Sequence, residues 1–130
     1  MPGYHRAVPT QNDVRRICES FGDTTLDPRG FGFRRGDKLF AWVWMQRLDP
    51  KKKRLPNPDV LVVHTDDEFA KQDLLMLDPD VFFTEPHYDG YPAVLVRLAQ
   101  IEPDLLELIL RQAWESRAPK GRRQQEVGRG

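Results

Sequence analysis

FGFRRGDKLFAWVWMQR, residues 31–47, holds the reading that decides the fold. Two strand-like runs, 31–35 and 38–47, flank the pair Gly36-Asp37. A glycine leading a two-residue connection suits a type II′ hairpin turn, whose twist matches that of paired strands. In the second run Phe40, Trp42 and Trp44 alternate with Leu39, Ala41, Val43 and Met45, so both faces of the strand are apolar. That pattern predicts a central strand, covered on one side and partly on the other.

Working outward, residues 49–58, DPKKKRLPNP, form a proline-bounded loop with four consecutive cations, and 60–64 read as a third strand. Before the hairpin, Asn12 or Asp13 is expected to cap a helix whose apolar positions Val14, Ile17, Cys18 and Phe21 follow i, i+3, i+4, i+7 spacing. It should stop near Gly22, and DTTLDPRG after it is turn chemistry. Beyond the third strand, Thr65 and Glu68 form a capping-box pattern for a helix over 66–77 with Phe69, Ala70, Leu74 and Leu77 as its apolar stripe. Asp78-Pro79 ends that helix. TEPHYDGYP, residues 84–92, is rich in turn formers, 93–98 read as a last strand, and Pro103 opens a final helix carrying Leu105, Leu106, Leu108, Ile109, Ala113 and Trp114. The expected order is α-β-β-β-α-β-α, an α+β domain with a small antiparallel sheet packed with helices. The boundaries that follow are a flexible N-terminus over 1–11, a single domain over 12–120 and a basic, disordered tail over 121–130.

A chain of 130 residues, 39% hydrophobic and 31% charged, fits one soluble globular domain. The N-terminus lacks the apolar core of a secretory signal, no apolar run is long enough to span a bilayer, and Cys18 has no second cysteine to pair with; a cytoplasmic location without membrane association is expected. Cys18, at helical spacing among apolar residues, reads as a small buried hydrophobe. Net charge is zero but sorted. Residues 31–54 hold eight basic and two acidic residues, 59–89 nine acidic and one basic, and 117–130 five basic and one acidic. Such blocks set up local fields that the net charge hides.

Three stretches, FGFRRGDKLFAWV (31–43), DPDVFFTEPHYDGYPAVLVRL (78–98) and LLELILRQAWESRAPK (105–120), together resemble the MmcQ/YjbR family. The phenylalanine pair, the Tyr-Asp-Gly loop, the arginine-bearing strand and the terminal Ala-Trp…Ala-Pro-Lys occur in the family's order. The resemblance implies a compact domain compared with frataxin-like (CyaY-like) and double-wing DNA-binding folds, and a non-catalytic DNA-binding role. Loop 51–54 and the tail are more basic than the family pattern.

A nucleic-acid site needs cations that displace condensed counterions and, for single strands, exposed aromatic faces. Arg34, Arg35 and Lys38 around the hairpin turn and Lys51, Lys52, Lys53 and Arg54 in the next loop supply the first, and Trp42 or Trp44 the second. Projecting on the same side, the two loops would act as wings. No recognition helix is evident, so contacts should be mainly to the phosphate backbone. The alternative is a small-ligand or protein-interaction site in the 84–92 loop, where Glu85, His87, Tyr88, Asp89 and Tyr91 crowd together near Arg97; turn formation and core covering explain the same residues. His64, Asp66, Asp67 and Glu68 resemble metal ligands on paper, but helix N-terminal charge accounts for the three carboxylates. No nucleophile elbow or glycine-rich phosphate loop is present. The expectation is a non-enzyme with no cofactor or metal, acting as a monomer or weak dimer on DNA.

Overall fold

In the computed structural model, which describes residues 8–119, Gly36 has φ 63° and Asp37 stays outside the positive-φ region, as a type II′ turn requires. The turn joins β2 (Gly32–Arg35) to β3 (Lys38–Gln46), with Arg35 opposite Lys38. β1 (Thr24–Leu26) pairs with β2 and β4 (Leu55–His64) with β3. β5 (Phe82–Phe83) and β6 (Ala93–Arg97) complete a six-stranded antiparallel sheet in the order β1-β2-β3-β4-β6-β5. Three helices accompany it: α1 (Gln11–Ser20), α2 (Glu68–Leu77) and α3 (Pro103–Ser116). The α+β class and the order of the expected elements hold, and β1 and β5 are added. β1 falls in DTTLDPRG, whose turn residues mask three that pair with the edge of β2. The return is fixed by buried Asp27, whose backbone N–H donates to Gly32 O at 2.7 Å while its carboxylate accepts the Arg29 N–H and the Arg34 guanidinium.

Alternation along the strands splits the apolar residues between the two faces. Leu61, Val63, Val94, Val96 and Phe82 join Val14, Ile17 and Cys18 of α1 and Leu106, Ile109, Leu110 and Ala113 of α3 in the larger core. Val60, Val62, Ala93 and Leu95 form a smaller cluster on the opposite face with Trp42, Trp44, Phe83 and Tyr88. Simple alternation puts Phe40 beside the two tryptophans; it lies in the larger core instead. The cause is a β-bulge: Phe33 faces Ala41 and Arg34 faces Leu39, so Phe40 is an extra residue and the phase of β3 slips.

Helix starts differ from expectation. Thr10 caps α1 in a capping box with Asp13, replacing Asn12 or Asp13 as cap and drawing residues 10 and 11 out of the expected flexible leader. Asp67 caps α2 by accepting the Ala70 N–H at 2.8 Å, and the Thr65 hydroxyl donates to Asp67 O, so the Thr65–Glu68 box does not form. The stripe expected on α2 is also corrected: Phe69 and Leu77 are exposed, and the fully buried residue is Lys71. α3 matches its reading, with Pro103 in the first turn, except that Leu108 is half exposed. Residues 1–7 of the expected leader and the tail over 121–130 lie outside the described residues.

Candidate nucleic-acid interface

β3 and β4 outrun their neighbours. Pairing of β2 with β3 ends at Gly32–Trp42, and pairing of β6 with β4 begins at Val60–Arg97. Residues 44–46 and 55–57 pair only with each other, forming a two-stranded arm with residues 47–54 at its tip. Where the arm leaves the sheet, Val43 faces Leu61 and Trp44 faces Asn57, so residues 58–60 form a bulge, a feature that bends and twists a ribbon. At the tip Lys51, Lys52 and Lys53 are exposed, and among the described residues none of their side chains has an ion pair or hydrogen bond. Arg54 is half-buried and braces the tip by donating to Met45 O at 2.9 Å, and Arg47 donates to Pro50 O at 3.2 Å. Leu48 and Leu55 flank these cations at 79% and 60% exposure.

The hairpin cations are at the other end of β3. Eight steps of about 3.3 Å separate Lys38 from Gln46, so the two loops stand roughly 26 Å apart and do not project together. Arg34 is engaged by Asp27 at 2.7 Å and donates to Asp37 O. Arg35 is buried, with its guanidinium stacked 3.6 Å over the Trp114 ring and donating to Trp114 O at 3.0 Å, an arrangement that fastens α3 to β2. Lys38 is exposed and borders a cleft of about 580 Å³ shared with His64, Asp66 and Arg117.

The 84–92 loop folds onto the smaller apolar cluster. Trp44 Nε1 donates to Glu85 Oε2 at 2.8 Å, and Trp42 Nε1 donates to the Tyr88 hydroxyl at 3.2 Å. Burial pushes the Tyr88 phenol pKa up. From α2 the Lys71 amino group donates to the backbone carbonyls of Tyr88 and Tyr91, at 2.6 and 3.0 Å, and so fixes the loop's course. His87 is exposed, edge-on to Tyr88, and Tyr91 is 40% exposed. Arg97 lies 4.0 Å over the Phe83 ring and donates to Pro79 O and Asp80 O. Glu85, Tyr88 and Arg97 are thus engaged by neighbouring groups, and none of residues 85–91 or 97 lines the three described clefts of about 550, 580 and 340 Å³. Trp42 and Trp44 are half-buried with bonded indole N–H groups.

Other candidates also have structural partners. His64 Nδ1 lies 2.8 Å from Ser116 Oγ, whose hydroxyl donates to Ala113 O at 2.6 Å. The contact ties the end of β4 to the end of α3. Burial pushes the Cys18 thiol pKa up to about 12, which keeps it a thiol at neutral pH. Among the described residues no three His, Cys, Asp or Glu side chains are grouped to hold a metal ion, and no helix is long and apolar enough to cross a membrane. Sequence reasoning missed the exposed leucines at the arm tip and the buried Lys71. The signal for Lys71 was its place as the lone cation in the acidic block.

The chain is 39% identical over 119 residues to Uncharacterized protein Rv2570 of Mycobacterium tuberculosis (strain ATCC 25618 / H37Rv) and to Uncharacterized protein Mb2600 of Mycobacterium bovis. Each match spans 87% of this chain and 92% of the relative. No family model and no solved structure matches.

Proposed function

The chain belongs to the family of these mycobacterial proteins, and we propose that it is a non-catalytic nucleic-acid-binding module of the MmcQ/YjbR kind that grips the phosphate backbone with the tip of the β3–β4 arm. The observation that carries this reading is the arm itself. It leaves the sheet as a two-stranded ribbon, an element the DNA major groove can admit, and it ends in three unpaired lysines. Lysines act on phosphate as point charges and displace condensed counterions, a contribution independent of base sequence. Leu48 and Leu55 add apolar surface of the type that packs on sugars or wedges at base steps. The acidic residues of α2 and its flanks belong to other elements than the arm, which lets one molecule of zero net charge attract a polyanion locally. The arm replaces the pair of wings drawn from the sequence, because Arg34 and Arg35 are held internally and Lys38 stands at the far end of β3.

Fluorescence anisotropy of labelled duplex and single-stranded DNA at several salt concentrations tests the proposal. Binding should weaken with salt, and the triple variant Lys51→Ser/Lys52→Ser/Lys53→Ser should bind all sequences more weakly, with the slope of log affinity against log salt about 2 to 3 units shallower. Absence of binding at low salt, or an unchanged slope in the triple variant, would refute it.

A further inference from the structure

α2 is inverted in polarity. Its Lys71 is 1% exposed and spends its amino group on two loop carbonyls, while Phe69, Met76 and Leu77 are 80%, 80% and 63% exposed. At 3.6 residues per turn these three fall on one side of the helix, with Asp73 among them. The same side adjoins a cleft of about 550 Å³ between α2 and α3, walled by Ala70, Asp73 and Leu74 from one helix and Gln112 and Glu115 from the other, with Val63 and Ile109 beneath. Leu108, 50% exposed, shares the face of α3 that carries Gln112 and Glu115.

We propose that this groove is a docking surface for a basic amphipathic helix of a partner protein, its apolar anchors entering between α2 and α3 and its lysines or arginines facing the acidic rim. Charge complementarity selects this occupant. α2 and its flanks carry Asp66, Asp67, Glu68, Asp73, Asp78 and Asp80, and the α3 wall adds Glu115; the one cation among residues 66–80 is the buried Lys71, while Arg97 is held by the Pro79 and Asp80 carbonyls and Arg111 of α3 lies over the Phe21 ring. A second copy docked through the same face would set these carboxylates against one another. The chain's own residues 120–130 have the right charge, yet Val127 is the one large apolar residue they contain, too little to fill the groove. A basic amphipathic helix meets both demands, with anchors at i, i+3 or i+4 and i+7 for the apolar rim and cations for the acids.

The test titrates the full chain, followed by amide NMR shifts and calorimetry, with two synthetic amphipathic helices: one carries leucine anchors and lysines, the other the same anchors and glutamates. The lysine peptide should shift amides of α2 and α3 and bind at least tenfold more tightly than the glutamate peptide. Phe69→Ser/Met76→Ser should lower its affinity at least tenfold, and Leu26→Ser, an exposed apolar change on β1, should leave it as it was. No binding, equal binding of the two peptides, shifts confined to other elements, or unchanged affinity in the α2 variant would overturn the proposal. So would a concentration-dependent dimer of the chain alone that the α2 variant abolishes, since that result gives the face to a second copy.

Discussion

Gly32 stands opposite Trp42 on β3, and a Cβ built there would meet Trp42 Cβ and Leu39 Cδ2 at 2.9 Å and Ala41 O at 3.1 Å. Two of those three atoms are backbone or fixed directly to it, so little can yield. Gly32→Ala should therefore lose about 1–3 kcal/mol, read by urea denaturation. Asp27 gives a pH signature. Chiefly the hydrogen bond from the Arg34 guanidinium, aided by Arg29, holds its carboxyl pKa below the usual range. A depressed folded pKa means the stabilisation is in place above the unfolded value of about 3.9 and is lost as pH falls through the folded one. Thermal melts should show the wild type losing stability as pH falls below about 4, and Asp27→Asn less stable at pH 7 but falling less over the same acid range. A single glycine's close approach and a buried turn carboxylate are not visible in composition or periodicity, because each depends on which strand lies alongside.

At the scale of elements, what could be read from the sequence followed the strength of local chemistry. The β2–β3 hairpin was legible because Gly36 alone makes the turn accessible, and α3 because its apolar spacing runs for four turns. β1 was not, since three residues among turn formers become a strand only by pairing with β2. The stripe of α2 failed for a physical reason: Phe69 and Leu77 are as apolar as Leu74 and Leu75, so periodicity cannot say which side meets the core, and Lys71 is drawn inward by carbonyls from a loop seventeen and twenty residues away. Two substitutions separate the sides. Lys71→Ala, which leaves the Tyr88 and Tyr91 carbonyls unpaired, should cost about 2–4 kcal/mol. Phe69→Ser, at an exposed position, should change stability by no more than about 0.5 kcal/mol in the same denaturation assay. The candidate site was half legible: four cations in a row marked the arm tip, whereas the distance between the two basic loops depended on the length of β3 and on where β2 and β6 stop.

Over the whole molecule, the charge blocks of the sequence become places. The cations of residues 51–54 gather at the tip of an arm, the carboxylates of residues 66–80 gather on and around α2, and the two surfaces can engage partners of opposite charge. If nucleic acid is met at the arm tip, as proposed, a reporter placed there must sense it. Cys18 is fully buried with its thiol pKa pushed up to about 12, so a thiol introduced by Leu48→Cys can be labelled selectively in the folded protein. The measurement is a titration of this protein, carrying an environment-sensitive fluorophore at position 48, with duplex DNA at low salt, beside the same label at Met76→Cys on α2. The expected result is a saturable change at position 48 that salt reverses, and a flat response at position 76. A flat response at position 48 while DNA is bound, or a change at position 76 alone, would contradict it.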